Sequence, residues 1–420
     1  MQRVENKISI FDFVCAISEA VDLASPLLNS HHKRVAYIAY NIAQNMNLPP
    51  QEIQEIILAS MLHDIGAFSV EERIHARSLK VRDIELNEHA LLGYKLLKGF
   101  APLASAAEMI KYHHAAYGGP GSNIPLGSYI INLAGRAAVL IDEKEEVLAQ
   151  VPLVLPQIMK NPEVFQPQVF QSFLQLAKTE YFWVEAFSPL AGSAVMKKIH
   201  FSQEIVGLQT LRSFAKVIAQ MIDFRSRFTA THSRSVAAVA KELCQISGFS
   251  EIECSMMEIA GLLHDLGKLA VSNDILEKKG ALNNQELLSI RKHTYYTHTV
   301  LAQIHGIEEI TAWASYHHER QDGNGYPFHV KGDDFPLPAR VLAVADIMTA
   351  LLEDRPYRAA MHKDMVGKIL NSLVENGGIN QAIAELAYQN FARINSVRVK
   401  AQQEALQEYE AFKDRSLAVC

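Results

Sequence analysis

The chain repeats itself, and the repeat constrains its fold more than any other feature. Offset by 201 residues, "FVCAISEAVDLASPLLNSHHKRVAYIA" lies on "FAKVIAQMIDFRSRFTATHSRSVAAVA" without a gap. Phe13 meets Phe214, Asp22 meets Asp223, His31 meets His232 and Val35 meets Val236, and "MLHDIGA" falls on "LLHDLGK". Beyond this the offset becomes 204, where His89 meets His293 and His113-His114 meets His317-His318. Histidines that stay in step over about a hundred residues mark two copies of one architectural unit.

Between these landmarks apolar residues recur at helical spacing, as in "HSRSVAAVAKELCQISG" and "SMMEIAGLLHDLGKLA", whereas strand-like alternation is rare. Gly and Pro gather near 118–127 and 323–338, where loops are expected. The expectation is an all-α chain of two tandem helical bundle domains: a first copy over 1–195, a second over 196–400 and a helical tail over 401–420. Segment 143–190 is expected to supply the last helices of the first copy. The charged stretch "RVKAQQEALQEYEAFKDRS" reads as a solvated amphipathic helix suited to contact with a second subunit.

Composition narrows function by exclusion. A formal net charge of −6 argues against general binding of DNA or RNA polymers, which needs a basic surface. A small anion needs only a few local Arg and Lys residues. The cysteines Cys15, Cys244, Cys254 and Cys420 form no C-x-x-C pair, so a reducing compartment and no thiolate metal site are expected. The N-terminus makes a poor signal peptide, and "YIINLAGRAAVLI" is short and carries Arg136, too little to span a bilayer. A cytoplasmic protein with no membrane partner is expected.

The second copy offers His232, His264-Asp265, His293, His317-His318 and Asp346. Each histidine alone reads as an ordinary core or surface residue. Their order, repeated in two copies, sets them apart. Imidazole mixed with carboxylate suits borderline metals such as Fe, Mn or Zn better than Ca or Mg. The set exceeds the three protein ligands of one catalytic zinc. It suits two ions about 4 Å apart that polarise a substrate and generate hydroxide.

The pattern "HDLGK…H293…HHERQDGNGYP…ARVLAVAD…RPYR" resembles the HD-GYP family, a subgroup of the HD metal-dependent phosphohydrolases, over residues 210–380. The resemblance implies an α-helical bundle that binds two or three metal ions, commonly iron or manganese, with Zn, Ni, Co or Mg as alternatives. It implies hydrolysis of cyclic di-GMP, or in some members of 3′,3′-cyclic GMP-AMP. Carried over, His232, His264, Asp265, His293, His317, His318 and Asp346 are the expected metal ligands, with Asp265 bridging. Asp265 and Lys268 are the expected catalytic groups, and Lys268, Arg355 and Arg358 the expected phosphate contacts. Asp322, Gly325, Tyr326 and Pro327, in a turn that folds the chain back after two ligands, are expected beside the substrate. Three-metal members place a glutamate where this chain has Phe228, so two divalent ions and a linear product, pGpG, are expected, with further conversion to GMP left open.

The first copy retains His31, His63, Asp64, His89, His113 and His114 as a vestigial metal set. Ala67 replaces the lysine, Gly135 stands where Asp346 stands, and neither the Gly-Tyr-Pro turn nor RPYR follows. Scaffold or dimerisation surface, metal- or ligand-binding regulator, and separate hydrolase all stay open for it. For the whole chain the expectation is a cyclic di-GMP phosphodiesterase, with a 3′,3′-cyclic GMP-AMP phosphodiesterase or a non-catalytic dinucleotide receptor as alternatives. A homodimer mate or a regulatory protein is the expected protein partner.

Overall fold

The computed structural model describes residues 8–22, 30–67, 83–119, 123–142, 144–188, 205–225, 229–278, 280–354 and 358–414. The chain divides into two compact units, one of Phe13–Glu204 and one of Ile205–Cys420 together with Met1–Asp12. Among the described residues no helix is long and apolar enough to cross a membrane.

The first unit begins inside α1 (Ile10–Asp22) and continues through α2 (His31–Asn45), α3 (Pro50–Leu62), α4 (Asp83–Leu97), α5 (Ala104–Lys111) and α6 (Leu126–Val139). Helices α7 (Val147–Met159), α8 (Pro167–Leu176) and α9 (Glu180–Ala186) close it, as expected of segment 143–190. Helix α2 is the axis. Its Val35, Ile38 and Ile42 are wholly buried at the 3–4 spacing of one face, and it packs on α3, α6 and α8. At the closing end Phe173, Phe182 and Trp183 meet edge to face, with ring centroids 5.3–6.1 Å apart. The Trp183 indole donates to the Ala177 carbonyl at 3.0 Å.

The second unit opens with a two-residue antiparallel pairing of β1 (Ile8–Ser9) and β2 (Ile205–Val206). It continues with α10 (Leu208–Asp223), α11 (His232–Ile246), α12 (Glu251–Leu263), α13 (Asn273–Leu276), α14 (Asn284–Leu301), α15 (Glu308–Ser315) and α16 (Leu337–Leu351). Then come α17 (Lys363–Glu375), α18 (Gln381–Gln389) and α19 (Phe391–Asp414). Capping boxes start two of these helices: Ser250 with Glu253 at α12, and Asn283 with Glu286 at α14. Helix α11 takes the axial place of α2 and packs on α12, α16 and α19. Helix α19 runs unbroken through residue 400, with Ile394, Ala401, Ala405 and Tyr409 buried at helical spacing. The stretch expected to be a solvated tail therefore carries an apolar stripe that closes the second core, and its charges occupy the other face.

Element bounds reproduce the repeat. Helices α3 and α12 match at offset 201, α5 and α15 at 204, and α6 and α16 at 211. Most of the second copy's extra residues thus lie between its fifth and sixth matched helices, where "DGNGYP" sits.

A glycine at the matched position of each unit is dictated by close approach. A Cβ on Gly267 would stand 1.9 Å from the His293 carbonyl oxygen, and one on Gly66 would stand 2.2 Å from that of His89. The Gly267 amide donates to Thr297 Oγ1 at 2.9 Å, so the turn after Asp265 lies directly on α14. Gly267→Ala is expected to push this turn off the helix and cost about 1–3 kcal/mol. That is read as a lower melting temperature together with weakened metal binding. An unchanged melting temperature would contradict the contact.

Candidate metal centre

The second unit brings its expected ligands together from five places. His232 opens α11, His264 and Asp265 end α12, His293 lies on α14, His317 and His318 follow α15, and Asp346 lies on α16. Three overlapping groups form, each with its ligand atoms within 4.8 Å of one another: His232 with His264 and Asp346, His264 with Asp265 and His317, and His293 with His317 and His318.

Local backbone aims the imidazoles. The Nδ1 atoms of His264, His293 and His317 lie 2.7, 2.6 and 2.7 Å from the carbonyls of Gly261, Ile290 and Ala314, each three residues earlier. A carbonyl only accepts, so each Nδ1 carries the proton and donates it, and each Nε2 lone pair faces inward. His232 does the same through Glu353, whose Oε2 accepts from Nδ1 at 2.9 Å. Glu353 is thus an orienting carboxylate behind a ligand, a role its sequence position does not advertise.

The inward atoms converge on Asp265. Its Oδ2 lies 3.2 Å from His264 Nε2 and 3.8 Å from His232 Nε2, while its Oδ1 lies 3.5 Å from His293 Nε2. Asp346 Oδ1 lies 3.2 Å from His232 Nε2, and the Nε2 atoms of His293 and His317 are 3.3 Å apart. Burial would raise Asp265, yet His264 and Lys268 beside it hold its carboxyl well below the usual range. Burial drives His293 down to about 3 and His318 down to about 4, so both are neutral donors. His264 is held up against its burial by Asp265 and Asp346, which mark the spot as one that attracts positive charge.

These residues fit bound metal. His264 Nε2 is buried and has no hydrogen-bond partner. A buried orphan of that kind costs free energy unless something coordinates it. The donors are imidazole nitrogens and carboxylate oxygens, and every approach is close to ligand–ligand contact around one ion. Phe228, on which the expected ion count rests, lies outside the described residues.

The residues expected to meet substrate divide. Lys268 Nζ sits 2.6 Å from Asp265 Oδ2 with its side chain 20% exposed, so it reaches both the cluster and solvent. Arg225 pins the turn beneath it through the carbonyls of Lys268 and Val271, at 2.7 and 2.8 Å. Tyr326 stands beside the cluster, its ring 5.0 Å from that of His318 and its amide donating to the His318 carbonyl. Three others are engaged in the fold. Asp322 holds Arg320 and accepts from the Asn324 amide, tying its own loop. Gly325 is buried, and a Cβ there would lie 2.4 Å from the Glu319 Cα. Arg358 donates to the carbonyls of Ala350 and Leu351 at the end of α16, at 2.6 and 3.1 Å. Arg355 lies outside the described residues.

A contact that sequence reading passed over lies on the rim. The Arg291 guanidinium sits 4.4 Å over the Tyr326 ring. An open groove of about 840 Å³ runs there, lined by Arg291, Lys292, Tyr295, Tyr296, Tyr326 and Pro327 among others. The only signal in sequence was that Arg291 precedes His293 by two residues.

The first unit also assembles its expected residues. His31, His63 and Asp64 form one group and His89, His113 and His114 another. The Nδ1 atoms of His63 and His113 donate to the carbonyls of Ser60 and Ile110, both at 2.7 Å, as their second-unit counterparts do.

A repeated helical unit with histidine–aspartate clusters at its centre defines a class, and the chain belongs to it: residues 16–137 and 216–377 match the HD domain family, with the second copy carrying the HD-GYP motifs. Among relatives, the chain is 30% identical over 396 residues, 90% of each chain, to the "3′3′-cGAMP-specific phosphodiesterase 1" of Vibrio cholerae. It is 36% identical over 149 residues to the "Cyclic di-GMP phosphodiesterase response regulator RpfG" of Xanthomonas campestris, covering 35% of this chain and 39% of that one. Its fold matches the crystal structure of a cyclic GMP-AMP specific phosphodiesterase from V. cholerae at a TM-score of 0.64 and 23% identity, over 91% of this chain and 98% of that one.

Proposed function

We propose that the chain hydrolyses a phosphodiester bond of 3′,3′-cyclic GMP-AMP at the metal centre of its second unit. One observation carries the hydrolase reading: the two oxygens of Asp265 face different imidazole groups while Lys268 contacts one of them from the solvent side. His232, His264, Asp346 and Asp265 would hold one ion, and His293, His317, His318 and Asp265 the other. When bound, such ions supply Lewis acidity at the phosphoryl group and acidify water enough to make it a nucleophile near neutral pH. Lys268 offers its ammonium where charge grows on the phosphoryl oxygens. The groove on the rim presents the exposed Tyr295 ring and the Arg291 guanidinium fork, which suit a purine and a phosphate. Water adds to phosphorus, the bond to the 3′ oxygen breaks, the 3′ oxygen takes up a proton, and a linear dinucleotide leaves.

Choice of substrate rests on extent of likeness. The V. cholerae relative named for 3′3′-cGAMP matches across both copies, whereas the X. campestris relative named for cyclic di-GMP matches over 35% of the chain. The sequence expectation of cyclic di-GMP therefore becomes the second reading, supported by the intact Gly-Tyr-Pro turn. Protein purified without oxygen and loaded with iron or manganese is expected to cleave 3′,3′-cyclic GMP-AMP at least ~10-fold more efficiently than cyclic di-GMP, in kcat/KM, with a linear product accumulating. The reverse preference would establish the second reading. Bound metal without cleavage of either would leave a receptor.

A further inference from the structure

We propose that the first unit holds its own pair of divalent transition-metal ions, and that His32, a residue outside the repeated ligand pattern, takes the place of the carboxylate that Gly135 lacks. This rests on geometry in the first unit and stands whether or not the second unit hydrolyses a dinucleotide.

At offset 201 His32 falls on Ser233, and Asp22 falls on Asp223. In the second unit that pair is structural: Asp223 accepts from the Ser233 amide at 3.0 Å and its hydroxyl at 2.8 Å, tying α10 to the start of α11. In the first unit the same carboxylate accepts from His32 Nδ1 at 2.6 Å. A carboxylate that takes the Nδ1 proton leaves Nε2 as a lone pair. Nε2 of His32 is buried without a hydrogen-bond partner and lies 3.9 Å from Asp64 Oδ2. The side chain is 2% exposed, so water offers little relief. A buried lone pair aimed at a carboxylate oxygen at that distance calls for a cation between them.

Other imidazoles gather on the same carboxylate. His31 and His63 present Nε2 at 3.9 and 3.3 Å from the same Asp64 oxygen. The other oxygen, Oδ1, lies 3.3 Å from His89 Nε2 and 3.9 Å from His113 Nε2. His89 Nε2 in turn lies 3.3 Å from His113 Nε2 and 3.1 Å from His114 Nε2. Donors bound about 2.1 Å from a tetrahedral ion sit about 3.4 Å apart, and these separations of 3.1–3.9 Å bracket that value. His31, His63 and Asp64 form one close group and His89, His113 and His114 another; in the proposed pair His32 joins the first through Asp64 Oδ2, and Asp64 serves both.

The substitution follows from α6. Gly135 stands where α16 carries Asp346, and a Cβ built on it meets nothing within 4 Å. Trading a carboxylate for an imidazole removes one negative charge from the shell and makes it richer in nitrogen. Such a shell favours Fe, Zn or Ni over Mg. With Ala67 in place of the lysine, it keeps the ions without a cation poised for a phosphoryl group. The first unit is then a metal-holding domain whose loading is separable from catalysis.

The test counts metal on the full chain. His264→Ala with Asp265→Ala empties the second unit. After loading with Fe²⁺, Mn²⁺ or Zn²⁺ in turn and desalting, this background is expected to keep two ions per chain with at least one of these metals. Adding His32→Asn, whose amide nitrogen still donates to Asp22, should lower the count to one or below while the helical signal stays. Gly135→Asp in that triple variant should bring the second ion back. No metal in the background, or an unchanged count after His32→Asn, overturns the proposal. If the background variant aggregates, His32→Asn in the otherwise natural chain gives the same reading as a drop from four ions to three.

Discussion

Replacing His264 and Asp265 together with alanine is expected to strip the second unit of metal and reduce cleavage of a cyclic dinucleotide by at least ~10⁴-fold, about 5–6 kcal/mol of lost transition-state stabilisation. Asp265 touches both halves of the cluster, through Oδ2 to His264 and His232 and through Oδ1 to His293. Asp346, the other carboxylate of the cluster, lies 3.2 and 4.0 Å from His232 and His264 on one side of it. The fold should survive. The apolar face of α12, with Met257, Ile259 and Leu263 wholly buried, holds that helix independently of the ligands at its end. Metal content and turnover on the folded variant are the measurements. Retained turnover would show that the reaction does not use this centre.

Lys268→Ala is expected to lower kcat by roughly 10²–10³-fold while leaving metal content unchanged, the effect of removing one preorganised charge from a developing oxyanion. The two outcomes of interest are separable. Lys268 pairs with Asp265 at 2.6 Å in addition to reaching solvent, so it could serve the bridging carboxylate instead of the substrate. Loss of metal along with activity would assign it to Asp265. Loss of kcat with metal retained assigns it to the phosphoryl group, and Lys268→Arg should then recover part of the rate by restoring the charge.

Much of the candidate site was legible along the chain, because both ligand order and helical period are properties of the chain. A histidine three residues after a helical carbonyl has its Nδ1 proton taken by that carbonyl, so "LLHD", "RKHT" and "SYHH" each encode an imidazole aimed by its own backbone. Repetition then separates those histidines from chance. The repeat itself was visible in the same way, whereas substrate preference was not, since base contacts depend on how a groove is assembled.

What the tertiary structure decided are pairings between elements. Glu353 orients His232 from 121 residues away. Arg291 covers Tyr326 only because the turn after His318 returns to α14. Arg358 caps α16, and Asp322 ties its own loop, although sequence alone placed both at substrate. His32 turns on the approach of α1 to α2, which puts Asp22 within 2.6 Å of it. Sequence by itself therefore determined the repeated helical fold and the central histidine–aspartate sets, through periodicity and local backbone geometry. Which polar groups face those sets from outside was left to packing, because the partner of a long side chain is chosen by whichever helix the apolar faces bring beside it.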